Sequence, residues 1–342
     1  MALIQKKRIF TILQYLFFLA LGVGLLWLSF RKLDMQEVWN DILIANYYWL
    51  IGSLIFAIAS HILRALRWNL LINSLNYKTK VSTTFFAVMI GYMANTAVPR
   101  MGEFVRCGVL SKKEKIPFNI LFGTVISERI FDMITLLVII FLVIVFQLDS
   151  LGDFVNQFFG PVFTNISSNI QDMVLFGIAF VLSVVILLFI IIRLKSVFNK
   201  MPFFQKLKGF VVGLLDGAKT IMKLKQKWLF LFYTFVIWLF YAIMVYLPVF
   251  MLEETSSLTF INGLTILAIG SLGIVAPVPG GIGAYHFIVK AVLHELFNIS
   301  GNVAGSFAAI THAGQTILNV IVGSISYFYM GFLSKKEKPL ND

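Results

Sequence analysis

Charged and helix-breaking residues are concentrated in two short stretches of an otherwise apolar chain. Residues 95–110 read NTAVPRMGEFVRCGVL and contain Pro99, Arg100, Gly102, Glu103 and Arg106. Residues 276–286 read APVPGGIGAYH and contain Pro279, Gly280, Gly281, Gly283 and His286. Guanidinium groups bind phosphate and carboxylate, and so do the free N–H groups where a helix begins after a glycine turn. The chemistry that both stretches could support is therefore the recognition of an anion.

A third group of charges lies inside an apolar run. The segment SERIFD carries Glu128, Arg129 and Asp132, with the two carboxylates at i and i+4 on one helical face. A helix that enters the membrane near Pro117 would place Glu128 about 16 Å deep, at 1.5 Å per residue. Ionisable groups at that depth are costly, so we expect functional residues with cationic partners. The candidate partners are Arg100 and Arg106, or Arg64 and Arg67 of the segment HILRALRW.

Each of these groups also has a structural interpretation. The carboxylates and arginines could form a buried ion-pair lattice that only stabilises the bundle. Arg64 and Arg67 could extend their guanidinium groups to the inner membrane interface. The glycines of 280–283 could merely permit a bend, and His286 could titrate near neutrality or be a hydrogen-bonded structural residue.

The composition excludes the soluble globular class. The 342 residues are 59% hydrophobic and 13% charged, and the mean hydropathy is +0.89. Several apolar runs exceed the roughly 20 residues that cross a bilayer, which predicts an all-α, polytopic membrane protein. The net charge of +12 falls in loops between the runs, so we expect contact with anionic lipid and not nucleic acid. No catalytic or metal-binding motif is present, and we expect no cofactor, no metal and no enzymatic activity.

Charges in the loops predict the topology. Basic loops mark the cytoplasmic side, which places both termini and the segment 194–227 inside, and 147–171 and 253–257 outside. We therefore predict a multi-pass protein of the inner (plasma) membrane with about six full spans. The predicted spans are 9–30, 47–66, 119–146, 172–193, 228–251 and 303–333.

Two apolar stretches, 81–98 and 258–297, begin and end on the same side and are predicted to be re-entrant hairpins. Their tips fall at 97–103 and 276–286, where proline and glycine break helices. Each half of the chain then has the order span, span, hairpin, span. This order predicts an inverted-topology repeat, 1–150 and 151–342, within a single membrane domain, with the substrate site between the repeats.

The motifs RALRW (64–68), NTAVPRMGEFVRCGVL (95–110), SERIFD (127–132) and APVPGGIG (276–283) resemble the transmembrane region of lysylphosphatidylglycerol synthases, a flippase-like domain family. The resemblance covers nearly the whole chain. It implies that the polar positions are Arg100, Glu103, Arg106, Glu128, Arg129 and Asp132, and that the glycine turn is Gly280 and Gly281. The chain departs from the family at His286, where a carboxylate is common.

The resemblance implies the movement of an aminoacylated or anionic phospholipid between leaflets. We expect a stand-alone membrane domain without the soluble aminoacyl-transferring domain, and therefore a chain that does not make lysyl-lipid by itself. The predicted function is therefore a lipid or lipid-linked substrate translocase that is not driven by ATP. The alternatives are a membrane-embedded lipid-modifying transferase with Glu128 or Asp132 as base, an accessory subunit of one, and a scaffold. A homodimer and a complex with a partner synthase or transferase are both compatible with this function.

Overall fold

The computed structural model of the protein describes residues 2–147, 224–275 and 278–336. Within these ranges the chain forms ten α-helices and no strand, which confirms the helical class. The described residues belong almost entirely to one compact unit, Met1–Val143 with Ile221–Asp342. In chain order the α-helices are α1 (Ala2–Phe30), α2 (Met35–Ile44), α3 (Tyr47–Ser74), α4 (Val81–Ala97), α5 (Gly102–Glu114), α6 (Phe118–Phe146), α7 (Lys227–Tyr246), α8 (Phe260–Val275), α9 (Ala284–Ala291) and α10 (Gly301–Lys336). Three short helical turns accompany them: 3₁₀ turns at Leu247–Met251 and Pro279–Gly281, and a π turn at Val292–Leu296.

Four helical segments in the described part of the chain are long and apolar enough to cross a membrane. They are α3, α6, α7 with its 3₁₀ turn, and Gly301–Phe332 of α10. A fifth candidate is Leu16–Phe30 of α1 taken with α2, which meets it at 90°. These helices correspond to the predicted spans 9–30, 47–66, 119–146, 228–251 and 303–333, and they confirm a multi-pass membrane protein. The predicted span 172–193 lies outside the described residues.

The right-angled turn into α2 has a local cause. Asp34 caps the helix, because its carboxylate accepts hydrogen bonds from the N–H groups of Gln36 at 2.8 Å and Glu37 at 3.3 Å. Val38 is buried against the bundle, whereas Trp39 and Leu43 are exposed. A short helix with an exposed apolar side, perpendicular to a span, is typical of a segment at a membrane interface.

Helix breaks occur where proline and glycine predicted them. Between α4 and α5, the Met101 N–H donates to the Val98 carbonyl at 3.3 Å, which closes a four-residue turn. Pro99 and Arg100 are its central residues, and Arg100 has φ 60°. Proline followed by positive φ defines a type II turn. Between α8 and α9, the glycines 280, 281 and 283 all have positive φ. Both predicted tip positions are therefore confirmed as turns between helices, and their depth in a membrane stays a prediction.

The glycine turn packs against the end of α4, just before the first turn. A Cβ on Gly280 would lie 3.5 Å from both the Cα and the carbonyl oxygen of Thr96, at the end of α4. On the other side of the same turn, Gly283 packs against the carbonyl of Gly22 in α1. His312 of α10 forms a 2.9 Å hydrogen bond with the Gly280 carbonyl. The end of α4, the glycine turn, α1 and α10 thus form one packed junction.

Two apolar clusters hold the hairpins in place. One cluster joins α3, α4, α5 and α6 and includes Trp68, Cys107 and Leu121. The other joins the 3₁₀ turn after α7 to α8, α9 and α10 and includes Val249 and Phe307. Small residues also let α4 and α5 pack closely, since a Cβ on Gly91 would lie 2.8 Å from the Gly102 carbonyl. This close packing brings Arg106 of α5 toward α3 and α6.

Candidate functional site

Five buried charged side chains from three helices form a single ion-pair network. All are at most 6% exposed: Arg64 and Arg67 on α3, Arg106 on α5, and Glu128 and Asp132 on α6. Residues three or four apart share a helical face, which is why one face of α3 presents both arginines and one face of α6 presents both carboxylates. The sequence predicted these residues, and the structure brings them together.

Glu128 is surrounded by three guanidinium groups. Its Oε1 lies 3.2 Å from Arg67 Nη2 and 3.6 Å from Arg64 Nε, and its Oε2 lies 3.2 Å from Arg106 Nη2. The side chain has no exposed surface. Removing a partner from such a buried pair leaves an uncompensated charge, which is far more costly than losing a surface ion pair.

Asp132 is bound by two of the same arginines, Arg64 and Arg67. Its Oδ1 lies 2.7 Å from Arg67 Nη2, and its Oδ2 lies 2.9 Å from Arg64 Nη2. Arg67 therefore bridges both carboxylates. The remaining Nη1 of Arg67 donates to Thr234 Oγ1 of α7 at 3.1 Å, which ties a fourth helix to the network.

Aromatic side chains surround the arginines. The Arg106 guanidinium lies 4.7 Å from the centre of the Trp68 ring, and the Trp68 indole donates to Thr124 Oγ1 at 2.8 Å. The Arg64 guanidinium lies 6.0 Å from the ring centres of both Tyr92 and Tyr241. Cation–π attraction stabilises guanidinium groups that are removed from water. Sequence analysis missed Thr234, Tyr92 and Tyr241, because a lone polar residue in an apolar helix does not indicate which helix it faces.

Burial overturns one interpretation of Arg64 and Arg67. Neither extends to the inner interface: they are 3% and 0% exposed. Helix α3 also continues to Ser74, about two turns beyond Arg67 at 3.6 residues per turn. The snorkelling interpretation was wrong because the predicted second span, 47–66, ended too early.

The network carries a surplus of positive charge. Three arginines face two carboxylates, so the five buried groups sum to one positive charge. Arg129 and Glu103 add a pair at the edge, 3.2 Å apart, with side chains that are 39% and 25% exposed. This pair leaves the sum unchanged. The sequence predicted that α6 needs cations from elsewhere, and Arg64, Arg67 and Arg106 supply them.

Arg100 lies at the turn between α4 and α5, where it is exposed and has a left-handed backbone. The turn ends on Gly102, whose N–H donates to Asn95 Oδ1 at 2.6 Å. Arginine in the left-handed region is strained, since that conformation favours glycine and asparagine. Backbone strain of this kind clusters at functional positions, so the conformation of Arg100 favours a functional role for its side chain.

The glycine turn uses most of its described N–H groups internally. Gly281 N donates to the Val278 carbonyl at 3.2 Å, and Ile282 N donates to the Pro279 carbonyl at 3.0 Å. Gly283 N donates to His286 Nδ1 at 3.3 Å. His286 is thus hydrogen-bonded and buried, which agrees with its structural interpretation. These bonds favour the interpretation of the glycines as a bend, and an anion site at this turn stays a prediction.

Sequence analysis missed His312 and Thr96, which both contact Gly280. An ionisable side chain inside the apolar run 303–333 is itself a signal of a polar site. For Thr96 the sequence gives no signal, because its role comes from backbone contact alone.

Comparison with known proteins identifies the family. The sequence model for the transmembrane region of lysylphosphatidylglycerol synthase matches residues 15–323. A UPF0104 membrane protein of Methanocaldococcus jannaschii is 29% identical over 132 residues, which are 38% of this chain and 37% of that protein. The matched segment thus spans little more than a third of that relative. No solved structure matches the chain. Since the family match spans most of the chain and includes both hairpins and the charged network, the chain belongs to the family of lysylphosphatidylglycerol synthase transmembrane regions.

Proposed function

We propose that the protein moves an anionic or aminoacylated phospholipid, or a lipid-linked substrate, between the leaflets of the plasma membrane without ATP and without covalent chemistry. The observation that carries the proposal is the contact between the glycine turn, at Gly280, and the end of α4, at Thr96, just before the first turn. Non-helical backbone at membrane depth is tolerated only where it is buried in protein or lines a polar cavity. Secondary transporters place their substrate sites at such junctions.

Helix lengths support a junction near the middle of the bilayer. Helices α4 and α8 have 17 and 16 residues, which correspond to about 25 Å each at 1.5 Å per residue. The loop charges predict that these helices begin at opposite membrane faces. Two helices of that length meet end to end only near the midplane of a bilayer about 40 Å thick.

Electrostatics support an anionic head group. The buried network has one surplus positive charge, and Arg129 is partly exposed at its edge. The Nε–H groups of Arg64, Arg67 and Arg106 are buried and have no hydrogen-bond partner among the described residues. A phosphate diester carries one negative charge and several acceptor oxygens, so the surplus positive charge attracts it. While the head group is bound, the lipid tails stay in the hydrocarbon core of the bilayer.

The ion pairs of Glu128 and Asp132 do not favour a role for these carboxylates as the general base of a transferase. A general base needs a lone pair within reach of the substrate proton. Both oxygens of Glu128 and both oxygens of Asp132 lie within ion-pair distance of arginine nitrogens. We therefore propose that these carboxylates hold the arginines in place.

The test is lipid exchange in liposomes that contain the purified protein and a fluorescent phosphatidylglycerol. Fluorescence in the outer leaflet is quenched with dithionite, and the rate at which inner-leaflet probe becomes accessible is measured. Fluorescent phosphatidylcholine serves as a probe without net charge. We expect the protein to accelerate exchange of the anionic lipid, with the lipid chemically unchanged by mass spectrometry.

A cross-link between the glycine turn and α4 makes the test specific. A Cβ on Gly280 would lie 3.5 Å from the Thr96 Cα, so Thr96→Cys with Gly280→Cys brings two thiols within reach of each other. The natural Cys107 is buried and leaves the background unreactive. We expect oxidation to stop exchange, reduction to restore it, and each single variant to stay active under oxidation. Exchange at the unoxidised rate in a fully cross-linked sample, or a wild-type protein that accelerates neither lipid, would refute the proposal.

A further inference from the structure

Two histidines lie side by side at the glycine turn, in the junction with α4, α1 and α10. The rings of His286 on α9 and His312 on α10 have centres 4.6 Å apart. Each binds the backbone of the glycine turn: His286 Nδ1 accepts from the Gly283 N–H, and His312 Nε2 bonds to the Gly280 carbonyl. Neither bond belongs to the arginine network.

The backbone partners assign the tautomers. An N–H can only donate, so His286 Nδ1 is unprotonated and its neutral ring carries the proton on Nε2. A carbonyl can only accept, so His312 Nε2 is protonated and Nδ1 of the neutral ring is unprotonated. The two nitrogens that remain are therefore complementary, with a donor on His286 and an acceptor on His312.

The neighbouring groups leave the pair without a counter-charge. Tyr285 lies 5.4 Å from the His312 ring, and its hydroxyl is hydrogen-bonded to Thr311. Phe30 of α1 packs on His286, and α4 contributes the uncharged Thr96 to the junction. Lys290, one turn further along α9, donates to the Ser29 carbonyl. Among the described residues, neither imidazole forms an ion pair with a carboxylate, so a charge placed here needs an anion from elsewhere.

We propose that His286 and His312 form a binding site for one proton, that the proton binds at His312 Nδ1, and that it is the coupling ion carried with the anionic head group. This inference rests on the proposed function. The only bond formed is N–H at Nδ1, and the resulting imidazolium keeps its donor bond to the Gly280 carbonyl. A proton on His286 Nδ1 instead would displace the Gly283 N–H, so His312 is the preferred position.

Charge balance explains why proton and lipid move together. An imidazolium beside the Thr96–Gly280 contact adds one positive charge at the junction, and a phosphate diester brings one negative charge. The pair crosses the hydrocarbon region without net charge, which removes the main electrostatic cost of moving an anion. Two protons on rings this close repel each other, so the site takes one. Linkage then requires that the proton strengthens lipid binding by the same factor by which the lipid strengthens proton binding.

The experiment measures exchange against pH in the same liposomes, with equal pH on both sides, for fluorescent phosphatidylglycerol and phosphatidylcholine. We expect anionic exchange to fall by up to about tenfold per pH unit above the pKa of the site, because one proton is bound. His312→Gln keeps a side-chain donor for the Gly280 carbonyl and cannot be protonated, so we expect exchange that no longer varies between about pH 5.5 and 8. His294→Gln is the matched control, since His294 bonds the Ile299 carbonyl away from the junction, and we expect the wild-type profile.

A direct titration of the histidines tests the proton site independently of transport. In protein labelled with ¹⁵N-histidine in lipid nanodiscs, two ring resonances are expected to titrate together in the wild type and in His294→Gln. In His312→Gln the shared transition is expected to disappear. Wild-type anionic exchange that is independent of pH would overturn the inference and leave the proposed function standing. Absence of any exchange would refute the proposed function, and the titration alone would then decide whether the pair binds a proton.

Discussion

Arg100 adopts a backbone conformation that glycine reaches without steric cost, so Arg100→Gly removes the guanidinium and preserves the turn. The residue has φ 60° and follows Pro99 in the tight turn between α4 and α5. Most charge-removing substitutions weaken the fold and the function together. Here the two effects have opposite signs, which makes the role of the side chain measurable.

The magnitudes follow from the backbone and from the charge. A non-glycine residue in the left-handed region costs about 1 kcal/mol, so glycine is expected to leave stability unchanged or to raise it by up to about that amount. Losing a guanidinium that binds phosphate costs roughly 1.5–3 kcal/mol, the range for hydrogen bonds to charged groups. Since 1.4 kcal/mol is a factor of ten, exchange of phosphatidylglycerol at limiting lipid is expected to fall by roughly 10- to 100-fold.

The chain supplies a matched control at Lys115. This residue is also a cation with positive φ, 54°, at the C-terminal cap of α5, away from the turns. Lys115→Gly removes one positive charge and the same kind of backbone strain. We expect its thermal stability to change as in Arg100→Gly and its exchange rate to stay at the wild-type value.

The assays are thermal unfolding in detergent and dithionite-based exchange in liposomes, on wild type and both variants. Equal exchange rates in the three proteins would show that Arg100 does not bind the head group. A large loss of stability in Arg100→Gly alone would show that the side chain is structural. Either result would refute the reasoning about the first turn.

Three further predictions concern the network, the glycine turn and α2. Glu128→Gln leaves three guanidinium groups around a neutral amide and is expected to lower the free energy of unfolding by about 3–5 kcal/mol; a thermal unfolding temperature equal to that of the wild type would contradict the buried network. Gly283 has φ 80°, and Gly283→Ala would force a Cβ into the Gly22 carbonyl, so we expect this variant to lose the monodisperse peak in size-exclusion chromatography. Gly24→Ala is the control: a Cβ on Gly24 would have no atom within 4 Å, and we expect that variant to keep the peak. Asp34→Ala removes the cap of α2 and is expected to cost about 1 kcal/mol in unfolding experiments, and no change would mean that the cap is dispensable.

The sequence by itself determined the class of the protein and the places where its helices break. Long apolar runs must form helices in hydrocarbon, because every backbone polar group needs an internal partner there. Pro99 and the glycines after Val278 cannot continue a helix, so the turns between α4 and α5 and between α8 and α9 were predictable. Helical periodicity also predicted that Glu128 and Asp132 share a face, and the depth of that face predicted cationic partners.

Only the tertiary structure decided which arginines pair with Glu128 and Asp132 and which residues the glycine turn contacts. Arg64, Arg67 and Arg106 were all candidates together with Arg100, and helix packing selected the first three for the buried network. The contact of Gly280 with Thr96 and the pairing of His286 with His312 join residues far apart in the chain. Periodicity along one helix fixes which residues share a face, but the rotation and height of that helix against its neighbours depend on packing, and packing brings distant residues together.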